Sequence, residues 1–217
     1  RAVDISMKIN WMGHACFFIE TEKKKILCDP FSDGTGYPLF KGNADLVTIS
    51  HDHWDHNAFH LVGGNPLVVR DPGSFSFEDI QIKGIPSFHD KAHGKKRGSN
   101  IIYKISVDGI NLVHLGDLGH VLTREQVKEI GEHDILFLPV GGTFTVNAEE
   151  AYEITVQLKP KIVIPMHFKT PVNSFDIDPA EAYTIKFERI VKKPFLKIDR
   201  TELAYPTQVI VLDYPVN

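Results

Sequence analysis

Residues 51 to 56 read His51-Asp52-His53-Trp54-Asp55-His56, directly after the apolar run Leu46-Val47-Thr48-Ile49-Ser50. Histidines and aspartates packed this densely at the end of one strand-like segment constrain the chain more than any other feature. A solvated turn has no need of them, whereas neutral imidazole and carboxylate are the ligands that hold zinc, manganese or iron. In extended backbone, residues i and i+2 share a side. His51 and His53 therefore face one ion, while Asp55 and His56 turn towards a second.

A two-ion centre needs further histidines and a carboxylate between the ions, and the remaining candidates all occupy one kind of place. His89 ends the alternation Ile80, Ile82, Ile85. Asp117 follows Ile110-Asn111-Leu112-Val113 through His114-Leu115-Gly116, and His167 closes Ile162-Val163-Ile164-Pro165-Met166. Each sits at the C-terminal tip of a hydrophobic segment, where backbone geometry is firmly held. A lone histidine is most often structural; it is the agreement among these segment ends that points to a metal centre.

On these residues the sequence resembles the metallo-beta-lactamase superfamily, whose H-x-H-x-D-H pattern is met by His51, His53, Asp55 and His56 and whose later motifs are met by His89, Asp117 and His167. Within it the chain resembles the small stand-alone metal-dependent hydrolases that include the ascorbate-6-phosphate lactonase-like proteins. Trp11-Met12-Gly13-His14-Ala15, Asp29-Pro30-Phe31, the segment from His114 to His120, Pro139-Val140-Gly141-Gly142-Thr143-Phe144-Thr145 and Ile164-Pro165-Met166-His167-Phe168-Lys169-Thr170 carry that likeness. The resemblance implies a four-layer αββα sandwich, two mixed β-sheets with helices on the outer faces. It also implies that His51, His53 and His89 hold one ion and Asp55, His56 and His167 the other, with Asp117 bridging both. The implied cofactors are two divalent metal ions, zinc before manganese or iron, which acidify a shared water to hydroxide near neutral pH and polarise the substrate oxygen. Asp55 and Asp117 are thereby expected to serve catalysis as well as ligation. Two positions depart from the pattern. Asn147 stands where an aspartate is usual and is expected to cap a helix, and Phe168 replaces a tyrosine and removes a phenol hydroxyl.

The chain has 217 residues, 42% of them hydrophobic, which suits one domain with a sizeable core. Strands are expected at Met7 to Trp11, Cys16 to Thr21, Lys25 to Cys28, Leu46 to Ile49, Pro66 to Val69, Ile80 to Pro86, Asn100 to Val107, Ile110 to Val113, Ile135 to Pro139, Ile162 to Pro165 and Thr207 to Leu212. Asp108-Gly109 reads as a hairpin turn. Three helices are announced by capping pairs: Thr123 with Gln126, Asn147 with Glu150, and Asp178 with Glu181 behind Pro179 at the first helical position. So many strands with few helices require two stacked sheets.

Cys16 and Cys28 fall in apolar runs and are expected to be buried, reduced thiols. No apolar stretch reaches the length of a membrane-crossing helix. The start Arg1-Ala2-Val3-Asp4 lacks a signal-peptide pattern, and the protein is expected to be cytoplasmic; because position 1 is not Met, residues 1 to 6 are expected to be an upstream extension or cloning remnant, with Met7 the natural start. A formal net charge of -4 argues against a nucleic-acid surface. The expected partner is a small-molecule substrate, with no membrane, no nucleic acid, and further copies of the chain should it oligomerise.

Several residues keep two readings. Asp29 either orients a ligand imidazole or merely starts an Asp-Pro turn. His14 and His120, each beside a glycine, either contact substrate and donate a proton to the leaving group or are structural. Gly141 and Gly142 either let backbone approach the substrate or serve a turn. Lys95, Lys96 and Arg97, in the loop after His89, either draw in an anionic substrate or form a solvated basic surface. The expected activity is hydrolysis of a small anionic ester, lactone or phosphodiester. A nuclease is disfavoured by charge; a diiron-type oxidoreductase would prefer a carboxylate in place of His53 and a flavin partner; a non-catalytic binding module would not keep every ligand.

Overall fold

The computed structural model describes residues 6–217, so residues 1 to 5 of the expected N-terminal extension lie outside the described part. The first sheet has six strands: β1 (Met7–Gly13), β2 (Cys16–Glu20), β3 (Lys25–Cys28), β4 (Leu46–Thr48), β5 (Leu67–Val69) and, last in the chain, β13 (Leu196–Ile198). Their order is β13-β1-β2-β3-β4-β5, antiparallel from β13 to β3 and parallel from β3 to β5. The second sheet adds β6 (Gly73–Phe77), β7 (Ile80–Phe88), β8 (Ser99–Val107), β9 (Ile110–His114), β10 (Ile135–Pro139), β11 (Ile162–Met166), β12 (Ile190–Lys193) and β14 (Gln208–Leu212). It runs β12-β14-β11-β10-β9-β8-β7-β6, antiparallel among β6 to β9 and parallel beyond. Both sheets are mixed, as expected.

The alternation in β1 puts Met7, Ile9 and Trp11 on its buried face, where they join one core with Tyr103, Phe137 and Ile164 of the second sheet. Phe17 and Phe137 meet across the layers at 4.3 Å with no exposure. Tyr103 Oη also reaches Ile49 O at 2.8 Å and Val69 O at 3.2 Å, so a β8 side chain satisfies the carbonyls at the ends of β4 and β5. This bond ties the sheets together beside the loop from His51 to His56.

Helix α1 (Arg124–Ile130) and helix α2 (Ala148–Leu158) begin with the expected capping boxes, Thr123 with Gln126 and Asn147 with Glu150. α2 lies between the parallel strands β10 and β11 in sequence and buries Ala148, Ala151, Ile154 and Leu158 in the main core. The third helix differs from expectation. It is the single turn α3 (Glu181–Thr184), and Asp178 does not cap it. Asp178 instead uses its backbone, N–H to Gly141 O at 2.8 Å and C=O from Lys169 N at 2.8 Å, and these tertiary bonds override the local capping signal. On the outer face of the first sheet, Phe31, Tyr37, Ala44 and Val62 from the segment between β3 and β5 cover Cys16, Leu27, Val47 and Ile49. Irregular chain with one 3-10 turn, Phe59–Leu61, does the work of a helical layer there.

Asp108 and Gly109 take positive φ of 55° and 72° in the β8–β9 hairpin, as a primed turn demands. Cys16 and Cys28 are buried and unbridged. No described helix is long and apolar enough to cross a membrane.

Candidate metal centre

Strand ends build the site. His14 follows β1, Asp29 follows β3, His51 to His56 follow β4, His89 follows β7, Asp117 follows β9 and His167 follows β11. The two sheets thus present their carboxyl ends along one rim, and residues far apart in sequence meet there. His14, Asp29 and His167 hold φ of 56°, 46° and 53°, a region that non-glycine residues seldom occupy and that persists only where neighbours enforce it. The enforcing bonds are His167 N–H to His14 O at 3.1 Å and Asp29 N–H to Thr48 O at 2.9 Å.

His51, His53 and His89 bring one ligand atom each within 4.8 Å of one another, and so do His14, Asp55, His56 and His167. Asp117 lies between these groups. Its Oδ2 is 2.9 Å from His56 Nε2, 3.1 Å from His89 Nε2 and 3.4 Å from His51 Nε2, while Oδ1 is 3.4 Å from His167 Nε2. Asn100 holds Asp117 in place: its Oδ1 accepts from Asp117 N at 3.0 Å, and its amide donates to Leu115 O and Ser87 Oγ. The turn before Asp117 needs Gly116. A Cβ there would come within 2.4 Å of Asn100 Oδ1 and 2.5 Å of Ser50 Cβ.

Behind the histidines runs a second row of partners. His56 Nδ1 donates to Asp29 Oδ2 at 2.9 Å, and His51 Nδ1 donates to Ser50 Oγ at 2.8 Å. Ser50 Oγ in turn donates to Asp29 Oδ2 at 2.5 Å, and Ser50 N–H donates to Asp29 Oδ1 at 2.9 Å. Both Nδ1 atoms thereby carry a proton, which turns each Nε2 towards Asp117.

Electrostatics agree with a cation at this point. Burial, then His56, brings His51 down to about 3, and burial, then His167, brings His14 down to about 4. Burial would also lower His56, but Asp117, Asp29 and Asp55 outweigh it and raise it well above the ordinary histidine value. Burial opposes charge on Asp117, yet His167 and His56 hold it well below the usual carboxylate range. Carboxylates that favour a proton on His56 favour a divalent cation in its place.

His51 Nε2, His56 Nε2 and Asp117 Oδ1 are buried atoms with no hydrogen-bond partner. Leaving such atoms unpaired costs roughly 1–3 kcal/mol each, and they converge on one point. A set of neutral nitrogens and carboxylate oxygens suits zinc, manganese or iron. The residues fit the metal ions that the sequence implies.

The other expected site residues divide. His14 reaches the centre, but its Nε2 is bonded to Asp55 Oδ2 at 2.8 Å. His120 does not reach it: Nδ1 donates to Val121 O at 2.9 Å and Nε2 accepts from Phe88 N at 3.1 Å, so both nitrogens serve backbone. Gly141 and Gly142 do not line the cavity either. Gly141 lets the β10–α2 loop pass so close to His167 that a Cβ would fall 2.2 Å from His167 O, and Gly142, at φ 71°, packs on Asn147. Lys95 and Lys96 point to solvent, whereas Arg97 lines the cavity. Phe168 is buried against Trp11 at 4.9 Å, an apolar use of the position.

The cavity over the centre measures about 360 Å³ and is walled by Trp54, Phe144, Phe175 and Arg97, a size suited to a small molecule. Ser50, Asn100 and these aromatic walls have no counterpart in the sequence reading. Of these, Ser50 adjoins the histidine motif, Trp54 lies within it and Phe144 lies in the segment from Pro139 to Thr145, while Asn100 and Phe175 carry no local signal.

A two-sheet sandwich carrying this His/Asp cluster at its strand ends defines a metal-dependent hydrolase fold. The family model of the Beta-lactamase superfamily domain matches residues 8–167. A UPF0173 metal-dependent hydrolase of Pelotomaculum thermopropionicum is 36% identical over 81% of this chain and 90% of its own length. A second, from Thermoplasma volcanium, is 31% identical over 84% of this chain and 91% of its own. Among solved structures, a candidate Zn-dependent hydrolase of the metallo-beta-lactamase superfamily from Thermotoga maritima superimposes with a TM-score of 0.82 at 40% identity, covering 95% of this chain and 100% of the other. The chain belongs to the metallo-beta-lactamase superfamily, among its UPF0173 metal-dependent hydrolases, and is an enzyme of that hydrolytic class.

Proposed function

We propose that the protein hydrolyses a small anionic ester, lactone or phosphodiester at a dinuclear centre. His51, His53 and His89 would hold one divalent cation, Asp55, His56 and His167 the other, with Asp117 shared; zinc is the proposed metal, ahead of manganese and iron. The contacts of the Asp117 carboxylate with imidazoles of both groups carry this reading. Bound there, two cations supply Lewis acidity that polarises the scissile carbonyl or phosphoryl oxygen and acidifies an attacking water.

The chain's own residues do the rest. Asp117 neutralises charge between the two groups. Asp29 and Ser50 keep His56 and His51 in the tautomer that turns Nε2 inward, and His14 holds the Asp55 carboxylate by the bond from its Nε2. With that nitrogen committed to Asp55, His14 acts as a positioning group. Trp54, Phe144 and Phe175 exclude water around the scissile bond. The lactonase-like likeness of the sequence supports lactones as the first substrates to try.

Elemental analysis of the purified protein should give about two metal ions per chain, and assays of lactones, phosphodiesters and thioesters with zinc, manganese and iron should reveal turnover. Asp117→Asn should lower both metal occupancy and turnover, since an amide cannot replace a shared carboxylate charge. Unchanged stoichiometry in that variant would count against a bridging role.

A further inference from the structure

The loop after His89 carries Lys91, Lys95, Lys96 and Arg97, yet these cations are not equivalent. Lys91 pairs with Glu150 at 3.0 Å, and Lys95 and Lys96 are exposed. Arg97 alone turns into the cavity over the metal-ligand cluster. The cause is Asp90. Its Oδ1 accepts from the backbone N–H of Ala92 at 2.7 Å and of Gly94 at 2.9 Å, and Oδ2 accepts from Lys96 N at 2.9 Å and Arg97 N at 2.7 Å. The loop is wound around one carboxylate, which is 5% exposed, and is closed by His89 N–H to Gly98 O at 3.0 Å. Because Asp90 adjoins His89, the same turn that presents a ligand imidazole also aims Arg97.

The Arg97 guanidinium lies 5.5 Å over the Phe144 ring. Among the described residues it makes no ion pair and donates no side-chain hydrogen bond. Its fork of donors is therefore free towards the cavity. A guanidinium stacked on an aromatic face and otherwise uncommitted is suited to bidentate capture of carboxylate, phosphate or sulfonate oxygens. Around it the walls are flat and apolar: Trp54 is 48% exposed, Phe144 meets Phe175 edge-on at 6.4 Å, and Phe175 stacks on His14 at 5.0 Å.

We infer that Arg97, aimed by the Asp90 cradle, is the residue that recognises an anionic group on the substrate, and that the substrate joins this group to a flat apolar moiety held among Trp54, Phe144 and Phe175. This deepens the proposed hydrolysis and rests on it for the reacting bond, but recognition can be tested without turnover. The probes are 4-nitrobenzenesulfonate, an aryl anion whose sulfonate is a poor metal ligand, and neutral 4-nitrobenzamide. Each is titrated into the metal-loaded full chain while Trp54 fluorescence quenching is followed; Trp54→Phe supplies the blank.

The parent should bind the sulfonate more tightly than the amide. Arg97→Gln should weaken sulfonate binding about tenfold at low salt and leave amide binding unchanged, while Arg97→Lys should retain part of the preference, since a point charge replaces the fork. Asp90→Asn should weaken the sulfonate several-fold with amide binding and metal content intact, the sign of a positioning residue, and Lys96→Gln should do nothing. A parent without preference, equal losses of both probes in Arg97→Gln, or a loss in Lys96→Gln as large as in Arg97→Gln would overturn the inference. Asp90→Asn losing both probes together with metal would make Asp90 a fold residue and remove it from recognition. Absence of turnover on every ester, with these binding differences present, would instead sink the hydrolytic proposal alone.

Discussion

Replacing Asp29 by asparagine keeps the shape of the side chain and removes its charge, which isolates what the carboxylate does for the centre. Asp29 receives three donors: Ser50 N–H at Oδ1, and Ser50 Oγ and His56 Nδ1 at Oδ2. No orientation of an amide satisfies all three. With its oxygen towards Ser50 N–H, the amide nitrogen faces His56 Nδ1 and drives that proton to Nε2, the atom that faces Asp117. With the amide reversed, its N–H₂ meets the Ser50 N–H head-on, and one buried donor is left unpaired at a cost of about 1–3 kcal/mol. Groups that hold ligand imidazoles in place are generally worth 10–100-fold in metal affinity, or about 1.4–2.8 kcal/mol. Asp29→Asn is therefore expected to raise the metal dissociation constant by roughly one to two orders of magnitude, measured by competition with a chromophoric chelator. Melting curves with and without metal separate this from loss of fold. Ser50→Ala, which removes the partner of His51 and one donor to Asp29 but leaves the bond between Asp29 and His56, should give a smaller effect. A metal affinity for Asp29→Asn within about twofold of the parent would refute the idea that this carboxylate sets the tautomers.

Three further outcomes follow from packing and burial. Gly141→Ala places a methyl 2.2 Å from His167 O, so it should destabilise the fold by about 1–3 kcal/mol and lower metal content; a melt and an elemental analysis both matching the parent would contradict this. Phe17→Ala empties a fully buried position against Phe137 and should cost about 3–5 kcal/mol in urea unfolding, with a cost under about 1 kcal/mol arguing that the sheets are not packed there as described. Burial, only partly offset by the bond from Nδ1 to Gly131 O, lowers His133 below its ordinary value of 6.5. As pH falls through that value the unfolded chain takes up a proton that the folded chain refuses, so stability declines, by at most about 1.4 kcal/mol per pH unit. His133→Gln should lose less melting temperature than the parent between about pH 7.5 and pH 5.5, and an identical slope would show that His133 does not contribute.

The strands that form the interior announced themselves, because β7, β8, β10 and β11 are bounded by turns and are apolar on a face or throughout. Three strands gave no such sign. β6, β12 and β13 are short sheet-edge strands, and the first two bury none of their residues. An edge strand packed on few neighbours needs no hydrophobic period, and its pairing is supplied by the strand beside it. For the same reason the capping pairs at Thr123 and Asn147 could be read from sequence, since a cap is a bond between residues three apart. Asp178 carried the same local signal and was diverted by bonds to Gly141 and Lys169, which no local window contains.

By itself the sequence marked the candidate metal ligands, because each ligand type is recognisable alone and the tip of an apolar segment is a place that periodicity marks. Only the tertiary structure decided how those tips are brought to one rim, with the Asp117 carboxylate among imidazoles from different strands. It also decided which of the flanking residues reach the cavity. His120 and His14 look alike as histidines beside glycines, yet one spends both nitrogens on backbone and the other grips Asp55. Lys95, Lys96 and Arg97 are neighbours of one charge, and the four backbone bonds to Asp90 turn only the last inward. Side-chain chemistry is a property of the residue and survives in the bare sequence. Direction is a property of the backbone bonds around it, and those close only when segments distant in the chain have packed together.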